Sequence, residues 1–543
     1  MKHHAASGRV ARRWLAVPIA LGLLAAIGGS ASADSTTGRS SANYSVGASD
    51  TTPSGELAEE QVLRARLAAA PRSLDPAFVD RLDAEVMAYN IYNGLVDYDD
   101  EGAFVPDLAE SWESNEDLTE WTFQLRQGVQ FHNGYGEFTS ADVKFSYERI
   151  QDPDIASFFA IDFENVGSID TPDPYTVVFT LTEPDALFLH SVAHFHGGDI
   201  VSQAAVEELG DEFEASPVGT GPFFLETFDA GQGFYVLERF DEYWGEPATL
   251  ERVELTVVDD NEAAAIALEN GEFEMGIDIT GDDRLAQLEA DGFQMITRAR
   301  SNLITMLNPE ANPAFADVRV RHAIAHCIDF TTIIEDLLSF REARSYNFLP
   351  PTLPEYTDDV PHYEYDPELG RQLLEEAGYA DGLVVKRLIR GSDGVEDRDL
   401  LEQEMLAECG ITEEFETVEV SEFSERRFQG DFEIATRSVN EPNIDFIVTS
   451  LLHPDQFPPG GLNGAQYSNP EVTALIEEAR SVTDPDELKA MYGEIQRIVM
   501  EDLPYIPENT LRQFWPTWDH VDVPELTVLA SMDFTLVSIG VAD

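Results

Sequence analysis

The close alternation of strand-patterned and helix-patterned segments constrains the fold of this chain more than any other feature. Alternating or β-rich runs predict strands in four places, namely Trp121–Phe131, Tyr175–Leu181, Gly233–Phe240 and Glu251–Val258. An alanine-rich helix is predicted directly afterwards, over Asn261–Gly271, with the glycine as its C-terminal cap. Because strands and helices are interleaved rather than segregated, we expect an α/β fold with mixed sheets flanked by helices.

The second half of the chain is richer in helix signals. Asp317 can cap a helix that begins at Val318, and Asp366 precedes a proline at the first helical position. Asp484 with Glu487 predicts a capping box for a further helix. A chain of 543 residues is too long for one ordinary hydrophobic core. We therefore expect at least two lobes, joined by short crossovers because no low-complexity linker separates the halves.

A capped helix near the start carries no catalytic signature. Thr139 and Asp142 have the spacing of a capping box, and Val143, Tyr147 and Ile150 follow at helical spacing on one face. This segment is interpreted as scaffold that fixes local geometry.

The N-terminus has the pattern of a secretory signal peptide over residues 1–33. A basic start containing Lys2 and Arg9 precedes an apolar stretch, and small residues at Ala31 and Ala33 precede the expected cleavage point. Residues 34–55 are rich in Ser, Thr, Gly and Ala and predict a flexible leader. No cysteine lies directly after the apolar stretch, where a lipid would be attached. We therefore expect an exported periplasmic protein without a lipid anchor.

The charge balance is strongly acidic. The chain has 103 Asp and Glu against 33 Lys and Arg, a formal net charge of −70, and only four of its basic residues are lysines. Such a field repels nucleic acids and anionic lipids, so neither is an expected partner. Carboxylates spread among apolar residues are tolerable when salt screens their repulsion. The charge therefore predicts that the protein works in a salt-rich, halophilic habitat, and it says little about the function of the protein.

Two cysteines exclude a disulfide-dense scaffold and a four-cysteine metal site. Export would permit one bridge between Cys327 and Cys409. Each cysteine, however, shares an apolar helical face with neighbouring hydrophobic residues, which favours buried free thiols over a disulfide.

No familiar catalytic motif is present. The sequence lacks a G-x-S-x-G elbow, an H-E-x-x-H zinc helix and the glycine patterns of nucleotide-binding loops. His190, His194 and His196, followed by Asp199, form the one group that could bind a metal. Their apolar and glycine-rich surroundings indicate a strand or turn, so we interpret them as structural histidines or ligand contacts and expect no metal and no cofactor.

A series of short motifs occurs in a fixed order along the chain. It includes PRSLDPA (Pro71–Ala77), FQLRQGVQFHNG (Phe123–Gly134), SPVGTGPF (Ser216–Phe223), YDPELGRQLLEEAGY (Tyr365–Tyr379) and YSNPEVTALIEEAR (Tyr467–Arg480). Each motif is weak alone. In this order, and over nearly all of the chain after the signal segment, they make it similar to the family 5 extracellular solute-binding proteins, the peptide, nickel and opine receptors of ABC importers.

This resemblance implies a two-lobed periplasmic-binding-protein fold of type II with an extra subdomain and a ligand in the interlobe cleft. Lobe I would comprise residues 56–305, with the extra subdomain at about 96–235, and would be completed by residues 511–543. Lobe II would comprise residues 306–510. The resemblance also implies a non-catalytic monomer that delivers its ligand to the membrane subunits of an ABC permease.

The family's peptide-binding members carry an aspartate for the ligand's ammonium group in a loop that resembles Ala435–Asp445. This loop is shorter here, and Ser438, Val439 and Asn440 lie where the aspartate would be; Glu441 and Asp445 are the alternative substitutes. Arg437 offers a bidentate clamp for a carboxylate or phosphate, its alternative being a surface ion pair.

Further candidate ligand contacts come from the expected positions of strand ends and flanking segments. They are Ser73 and Asp75 in lobe I, Tyr346 and Asn347 in lobe II, and His194 and His196 in the extra subdomain. The alternative for each of them is a purely structural role.

The function predicted from these features is a receptor that binds a peptide or peptide-like small solute by closure of two lobes. Alternatives within the same class of transporter are an opine, a sugar conjugate or a metal complex. Outside it, an exported hydrolase would need a nucleophile or a carboxylate pair that the sequence does not reveal.

Overall fold

The computed structural model describes residues 57–541, except for positions 80, 100–102, 195, 338–341, 392–394, 440–442, 460, 483 and 524–532. The predicted signal peptide and leader lie outside the described residues. In the part of the chain that is described, no helix combines the length and the apolar character that crossing a membrane requires.

Nineteen strands are found in the described residues. They are β1 Val62–Leu67, β2 Val96–Tyr98, β3 Phe104–Pro106, β4 Ala109–Ser114, β5 Glu120–Leu125, β6 Val166–Asp173, β7 Thr176–Leu181, β8 Phe223–Asp229, β9 Phe234–Arg239, β10 Arg252–Val257, β11 Met275–Gly276, β12 Gln294–Leu307, β13 Glu342–Arg344, β14 Leu383–Arg390, β15 Ile411–Val418, β16 Ile434–Val439, β17 Tyr505–Thr517, β18 Val521–Asp522 and β19 Ser538–Ile539.

Fourteen α-helices accompany these strands in the same part of the chain. They are α1 Leu82–Ile91, α2 Ser140–Gln151, α3 Phe188–Ser191, α4 Gln203–Leu209, α5 Asn261–Glu269, α6 Asp282–Ala290, α7 Val318–Cys327, α8 Phe330–Thr332, α9 Pro367–Glu376, α10 Asp397–Glu408, α11 Val420–Gln429, α12 Ile444–Leu452, α13 Pro470–Ala479 and α14 Pro485–Asp502. The mixture confirms the predicted α/β class.

One large mixed sheet runs through the molecule in the order β15-β14-β16-β12-β17-β11-β1-β10-β9-β8, with β13 paired to β17. The pairs β14–β15, β14–β16, β1–β11 and β1–β10 are parallel, whereas β12 pairs antiparallel with both β16 and β17. A four-stranded antiparallel sheet, β4-β5-β7-β6, stands apart from it. This second sheet lies in the region that the sequence assigns to the extra subdomain.

The hydrophobic residues form two large cores, as expected for two lobes. The first core draws on residues from 63 to 277 and from 515 to 539. The second draws on residues from 304 to 506, together with Leu187. Strands β12 and β17 contribute to both, since Ile304 and Tyr505 belong to the second core whereas Ile296 and Trp515 pack in the first. The boundaries 305/306 and 510/511 drawn from the sequence fall within these two strands and stay a prediction.

The N-terminal caps predicted at Thr139, Asp317, Asp366 and Asp484 are present. Thr139 and Asp142 form the reciprocal capping box of α2, and the predicted apolar face of this helix is buried. Asp317, Asp366 and Asp484 each accept a hydrogen bond from a backbone N–H of the first turn of their helices, α7, α9 and α14. These side chains satisfy N–H groups that have no partner inside the helix.

One predicted strand is shorter than its sequence pattern. The alternation over Trp121–Phe131 predicts a single strand, but β5 ends at Leu125. Gly128 has a φ of +80°, a backbone conformation that ends an extended run and that glycine adopts without strain.

The expectation of free thiols is wrong. Cys327 and Cys409 form a disulfide with a Cα–Cα distance of 6.1 Å, within the range that such bridges span. The bridge joins the end of α7 to the residue after α10. The two apolar helical faces are buried against each other, and this proximity cannot be read from either helix alone. Gly370 in α9 packs against the bridge, where an added Cβ would collide with the Cys327 sulfur.

Candidate functional site

A cavity of about 540 Å³ lies where residues from both lobes meet. Its wall includes Ile279 and Phe514, which pack in a small core cluster with α5 and α6, and Phe423 and Leu388, which pack in the core of the second lobe. The remaining wall comes chiefly from the neighbouring strands β14, β16, β12 and β17 and from the first turn of α10. Its volume is in the range of small-molecule sites.

Arginines are the most prominent side chains of this cavity. Seven of the chain's 29 arginines line it, namely Arg300, Arg387, Arg390, Arg398, Arg427, Arg437 and Arg512. The acidic lining residues are Asp278, Glu342, Glu396, Asp399 and Glu508. The cavity thus reverses the balance of a chain in which acids outnumber bases about threefold.

Two of the seven arginines belong to a buried ionic network beneath the cavity. The Arg387 guanidinium lies 2.9 Å from Glu402 and 2.8 Å from Glu413. Arg398 bonds Glu402 at 2.9 Å and also contacts Glu508. Burial alone would lower the pKa of Arg387, but Glu402 and Glu413 raise it. The positive charges of Arg387 and Arg398 are balanced by these buried carboxylates. We therefore interpret the network as structural.

The carboxyl groups of this network differ in the direction of their pKa shifts. Burial raises the pKa of Glu413 in spite of Arg387. Glu402 is buried as well, but it faces two arginines, and Arg387 with Arg398 holds its pKa below the usual value. Burial also raises the pKa of Asp399 at the start of α10. Burial therefore makes Glu413 and Asp399 weaker acids, whereas Glu402 stays a stronger acid because two arginines face it.

Arg437 and Ser438 are the sequence-predicted site residues that line this cavity. Both lie in β16, where Arg437 pairs with Ile304 and Ser438 with Leu303 of β12. Arg437 is 8% exposed, whereas Ser438 is exposed. Asn440 and Glu441, the other two residues predicted in this loop, lie outside the described residues.

Ser73 and Asp75 lie away from the cavity, in a buried turn of the first lobe. Asp75 accepts hydrogen bonds from the guanidinium of Arg149, one of them at 2.9 Å, and caps a short 3-10 turn that begins at Pro76. The Ser73 hydroxyl accepts a hydrogen bond from the Asp75 backbone N–H at 3.1 Å. These contacts explain how the turn is held.

Tyr346 and Asn347 lie in the second lobe, also outside the cavity wall. Asn347 is fully buried and donates to the Gln496 side chain at 2.7 Å. Tyr346 stacks on His362 with ring centroids 4.0 Å apart, and the Arg344 guanidinium lies over the Tyr346 ring, 4.8 Å from its centroid.

His190 and His194, two of the three histidines that the sequence groups together, bond to different protein partners. His194 is buried; its Nδ1 donates to Asp199 at 2.6 Å and its Nε2 to the Tyr89 carbonyl at 2.9 Å. Burial opposes its charge, but Asp199 outweighs this and raises the pKa of His194 to about 10. His190 instead bonds the Tyr98 hydroxyl, and burial lowers its pKa to about 4. His196 begins a 3-10 turn, and its side chain is not described.

Among the residues that the structure describes, no group of three or more His, Cys, Asp or Glu side chains is arranged to hold a metal ion. The predicted ligand contacts Ser73, Asp75, Tyr346, Asn347, His194 and His196 stay predictions, and those with described side chains have the protein partners given above.

Sequence reasoning missed the other cavity arginines. Arg390, Arg300 and Arg512 lie in β14, β12 and β17, far apart in the chain, and Arg427 lies in α11. The available signal was that arginines recur in strand segments of a lysine-poor, acidic chain. Only the sheet order β14-β16-β12-β17 brings these segments together.

Two cores that share two strands, with a cavity lined from both sides, define a two-lobed solute-binding protein. The family of bacterial extracellular solute-binding proteins, family 5, matches residues 103–452. The chain belongs to this family, whose members are the solute-binding proteins of ABC importers and not enzymes.

Individual relatives agree with this assignment. The chain is 29% identical to heme-binding protein A of Haemophilus influenzae over 81% of this chain and 85% of that protein. It is 27% identical to the glutathione-binding protein GsiB of Salmonella paratyphi A, over 80% and 86% of the two chains.

Solved structures show the same fold. HbpA2 from Haemophilus parasuis superposes with a TM-score of 0.82 at 24% identity, covering 88% of this chain and all of that one. MoaA from A. tumefaciens R10, in complex with mannopinic acid, superposes with a TM-score of 0.69 at 26% identity, covering 89% of this chain and all of that one.

Proposed function

We propose that this protein is an exported receptor that takes a peptide or peptide-like small solute into the cavity between its lobes and delivers it to an ABC permease. The observation that carries the proposal is the cavity itself, whose wall combines residues from both lobes with the fork-shaped donor of Arg437. A ligand that contacts both lobes stabilises the closed form by its higher affinity for that form, and no bond is made or broken.

The relatives support a small organic solute. GsiB is described as binding glutathione, which is a tripeptide, and heme-binding protein A as binding heme. In this chain Arg437 suits a ligand carboxylate because a guanidinium can donate two parallel hydrogen bonds to it. We place the ligand on Arg437 and Ser438, with Asn440 and Glu441 in the adjoining loop.

An opine is the second candidate ligand. Mannopinic acid is the ligand of MoaA, a protein of the same fold at 26% identity. Opines carry carboxylates, so the arginine-lined wall suits them as well as it suits a peptide terminus. A neutral sugar conjugate could accept hydrogen bonds from these arginines but would form no ion pair with them.

Export completes the proposal. Residues 1–33 would be removed as a signal peptide and residues 34–55 would form the leader of a monomeric periplasmic protein without a lipid anchor. Lobe I would comprise residues 56–305 and 511–543, and lobe II residues 306–510.

Native mass spectrometry of the purified protein, followed by denaturation, tests this function. We expect a small solute to leave unchanged on denaturation, and small-angle scattering to report a smaller radius of gyration when that solute is added back. Steady consumption of the solute would support a hydrolase instead. An unchanged radius with every retained solute would contradict binding by lobe closure.

A further inference from the structure

The arginine content of the cavity is too high to follow from the composition of the chain. Seven of 29 arginines line one cavity of about 540 Å³ in a protein with 103 acidic residues. Several other arginines pair with nearby acids at the surface, as Arg319 does with Asp317 and Arg497 with Glu494. A local excess of arginine requires a specific reason.

We propose that the cavity selects a small solute with two or more negative charges, held by arginines of the strands shared by the lobes, β12 and β17, and of the neighbouring strands β16 and β14. This inference rests on the proposed receptor function and names the class of its ligand. Carboxylate and phosphate groups supply the same recognition chemistry, since both accept paired hydrogen bonds from a guanidinium.

Two of the lining arginines are bonded to acids that are buried beneath the cavity. Arg387 and Arg398 are compensated by the buried acids Glu402, Glu413 and Glu508. Among the remaining lining residues, five arginines face four carboxyl groups. One of the four, Asp399, has its pKa raised by burial. The wall presented to a ligand is therefore net positive within a molecule whose formal net charge is −70.

The positions of the arginines favour several anionic groups over one. Arg390, Arg437, Arg300 and Arg512 lie on four successive strands of the sheet, which at about 4.8 Å per strand span roughly 14 Å. Along β12, Arg437 pairs with Ile304 and Arg512 with Ala299, an offset of about 16 Å at roughly 3.3 Å per residue. Guanidinium groups whose backbone positions lie this far apart can bind anionic groups at separate points of one solute.

Existing protein contacts do not prevent this role. A guanidinium carries five N–H donors, so an arginine that bonds a protein acceptor can also bond a ligand. Solute anions must pass an acidic surface, and this repulsion is largely screened at about 1 M salt, where the Debye length is roughly 3 Å. Binding is therefore best measured at that ionic strength.

Matched pairs of solutes test the proposal. Isothermal titration calorimetry of the full exported chain in 1 M KCl would compare Glu-Glu-Glu with Gln-Gln-Gln, tricarballylate with its triamide, and phosphoserine with serine. We expect at least one anionic member to bind about tenfold or more tightly than its neutral partner. The gain in affinity from neutral to anionic member, compared between the first two pairs and the third, shows whether the cavity prefers carboxylate or phosphate groups.

Arginine variants locate the site. Arg437→Gln and Arg512→Gln each should weaken the preferred anion about tenfold or more, as loss of a charge-assisted hydrogen bond does. Arg300→Gln and Arg390→Gln change exposed side chains, so they provide a second test if the first pair disturbs folding. Arg239→Gln, which removes a surface pair with Asp241, is the control and should leave the affinity unchanged.

Two results would overturn the polyanion proposal: equal affinity for neutral and anionic members, or binding by no anionic member. If a neutral solute is nevertheless retained in native mass spectrometry and closes the lobes, the receptor function stands and only the ligand class is wrong. If no solute is retained and none changes the radius of gyration, both proposals fail.

Discussion

Arg387 is the residue on which the buried ionic network depends. Its side chain is 4% exposed, and it lies between the carboxylates of Glu402 and Glu413, which are 1% exposed and fully buried. Replacing it by Met would leave these acids with less compensation. Removing one partner of a buried pair typically costs about 3–5 kcal/mol. We expect Arg387→Met to lower the free energy of unfolding at pH 7 by that amount, measured by urea denaturation.

The pH dependence of this loss identifies its cause. Without Arg387 the folded-state pKa of Glu402 should rise above its unfolded value, and that of Glu413, which burial already raises, should rise further. The deficit should therefore shrink as the pH falls from 7 towards 5. Arg497→Met, which removes exposed pairs on α14, is the matched control and should lower the free energy of unfolding much less, because exposed ion pairs contribute little to stability. Equal losses in the two variants would refute a special role for the buried network.

His194 gives a second prediction at this scale. Both of its ring nitrogens face acceptors, the Asp199 carboxylate and the Tyr89 carbonyl, which requires the protonated ring. Its pKa is raised to about 10, above the ordinary value of roughly 6.5. The stabilisation is therefore complete below pH 6.5 and is lost as the pH rises through about 10.

The variant His194→Gln should therefore show a weaker fall in the free energy of unfolding between pH 7 and pH 10 than the unchanged protein. His362→Gln, at an exposed position, controls for loss of an imidazole ring. Parallel pH profiles for the unchanged protein and His194→Gln would show that this ring is neutral in the folded state.

Residue patterns alone could locate part of the site. Ser438 is predicted because it lies where the loop is shortened, and Arg437 because its guanidinium can clamp a carboxylate or phosphate; both line the cavity. Arg300 and Arg512 could not be predicted, because nothing local marks them; they face the cavity through the pairing of β12 with β17. Asp75 was singled out by its position after a strand, but such a position does not show that Arg149 binds its carboxylate.

At the scale of elements, the disulfide joins two helices whose contact the sequence does not reveal. The bridge links Cys327 to Cys409, 82 residues apart. According to the chain-entropy model, removing a bridge that closes a loop of this length lowers the stability of the protein by roughly 4 kcal/mol. We expect Cys327→Ala, Cys409→Ala and the double variant to lower the melting temperature equally, because each removes the same bridge.

A thiol reductant should reproduce this loss in the unchanged protein and have no effect on the double variant. Additive losses in the double variant would instead indicate that each cysteine contributes only by its own packing. That result would restore the free-thiol interpretation of the sequence.

Helix ends were the most predictable elements because their signals are local. Asp317 caps α7 through a side chain one residue before the helix, and the box of Thr139 and Asp142 spans three residues. The length of β5 was less predictable, because the alternation continues past Leu125 although the strand ends there. Periodicity describes which faces can be buried, whereas pairing with β4 and β7 decides where the strand ends.

For the whole molecule, the charge makes stability dependent on salt. A formal net charge of −70 produces self-repulsion that salt screens, the Debye length falling from about 10 Å at 0.1 M to roughly 3 Å at 1 M. We expect the melting temperature to rise steeply with KCl up to about 1 M, as in a halophilic protein. Magnesium chloride at equal ionic strength should give a similar rise, and a melting temperature independent of ionic strength would exclude screening.

The two-lobed architecture could be expected from length and from the order of the motifs, because both are properties of the whole chain. The strand order of the central sheet could not, since β12 pairs with β16 and β17 that lie more than 100 residues away. Such pairings depend on which edges remain available once each lobe has a core.

The ladder between β12 and β17 is interrupted twice, between Ala299 and Ser301 and between Leu303 and Ile304. Irregularities of this kind let a strand bend locally, and these two flank the stretch where β12 passes from one core to the other. Arg300 lies within the first interruption and lines the cavity. A solute that binds Arg300 would therefore contact the segment of β12 that connects the two cores.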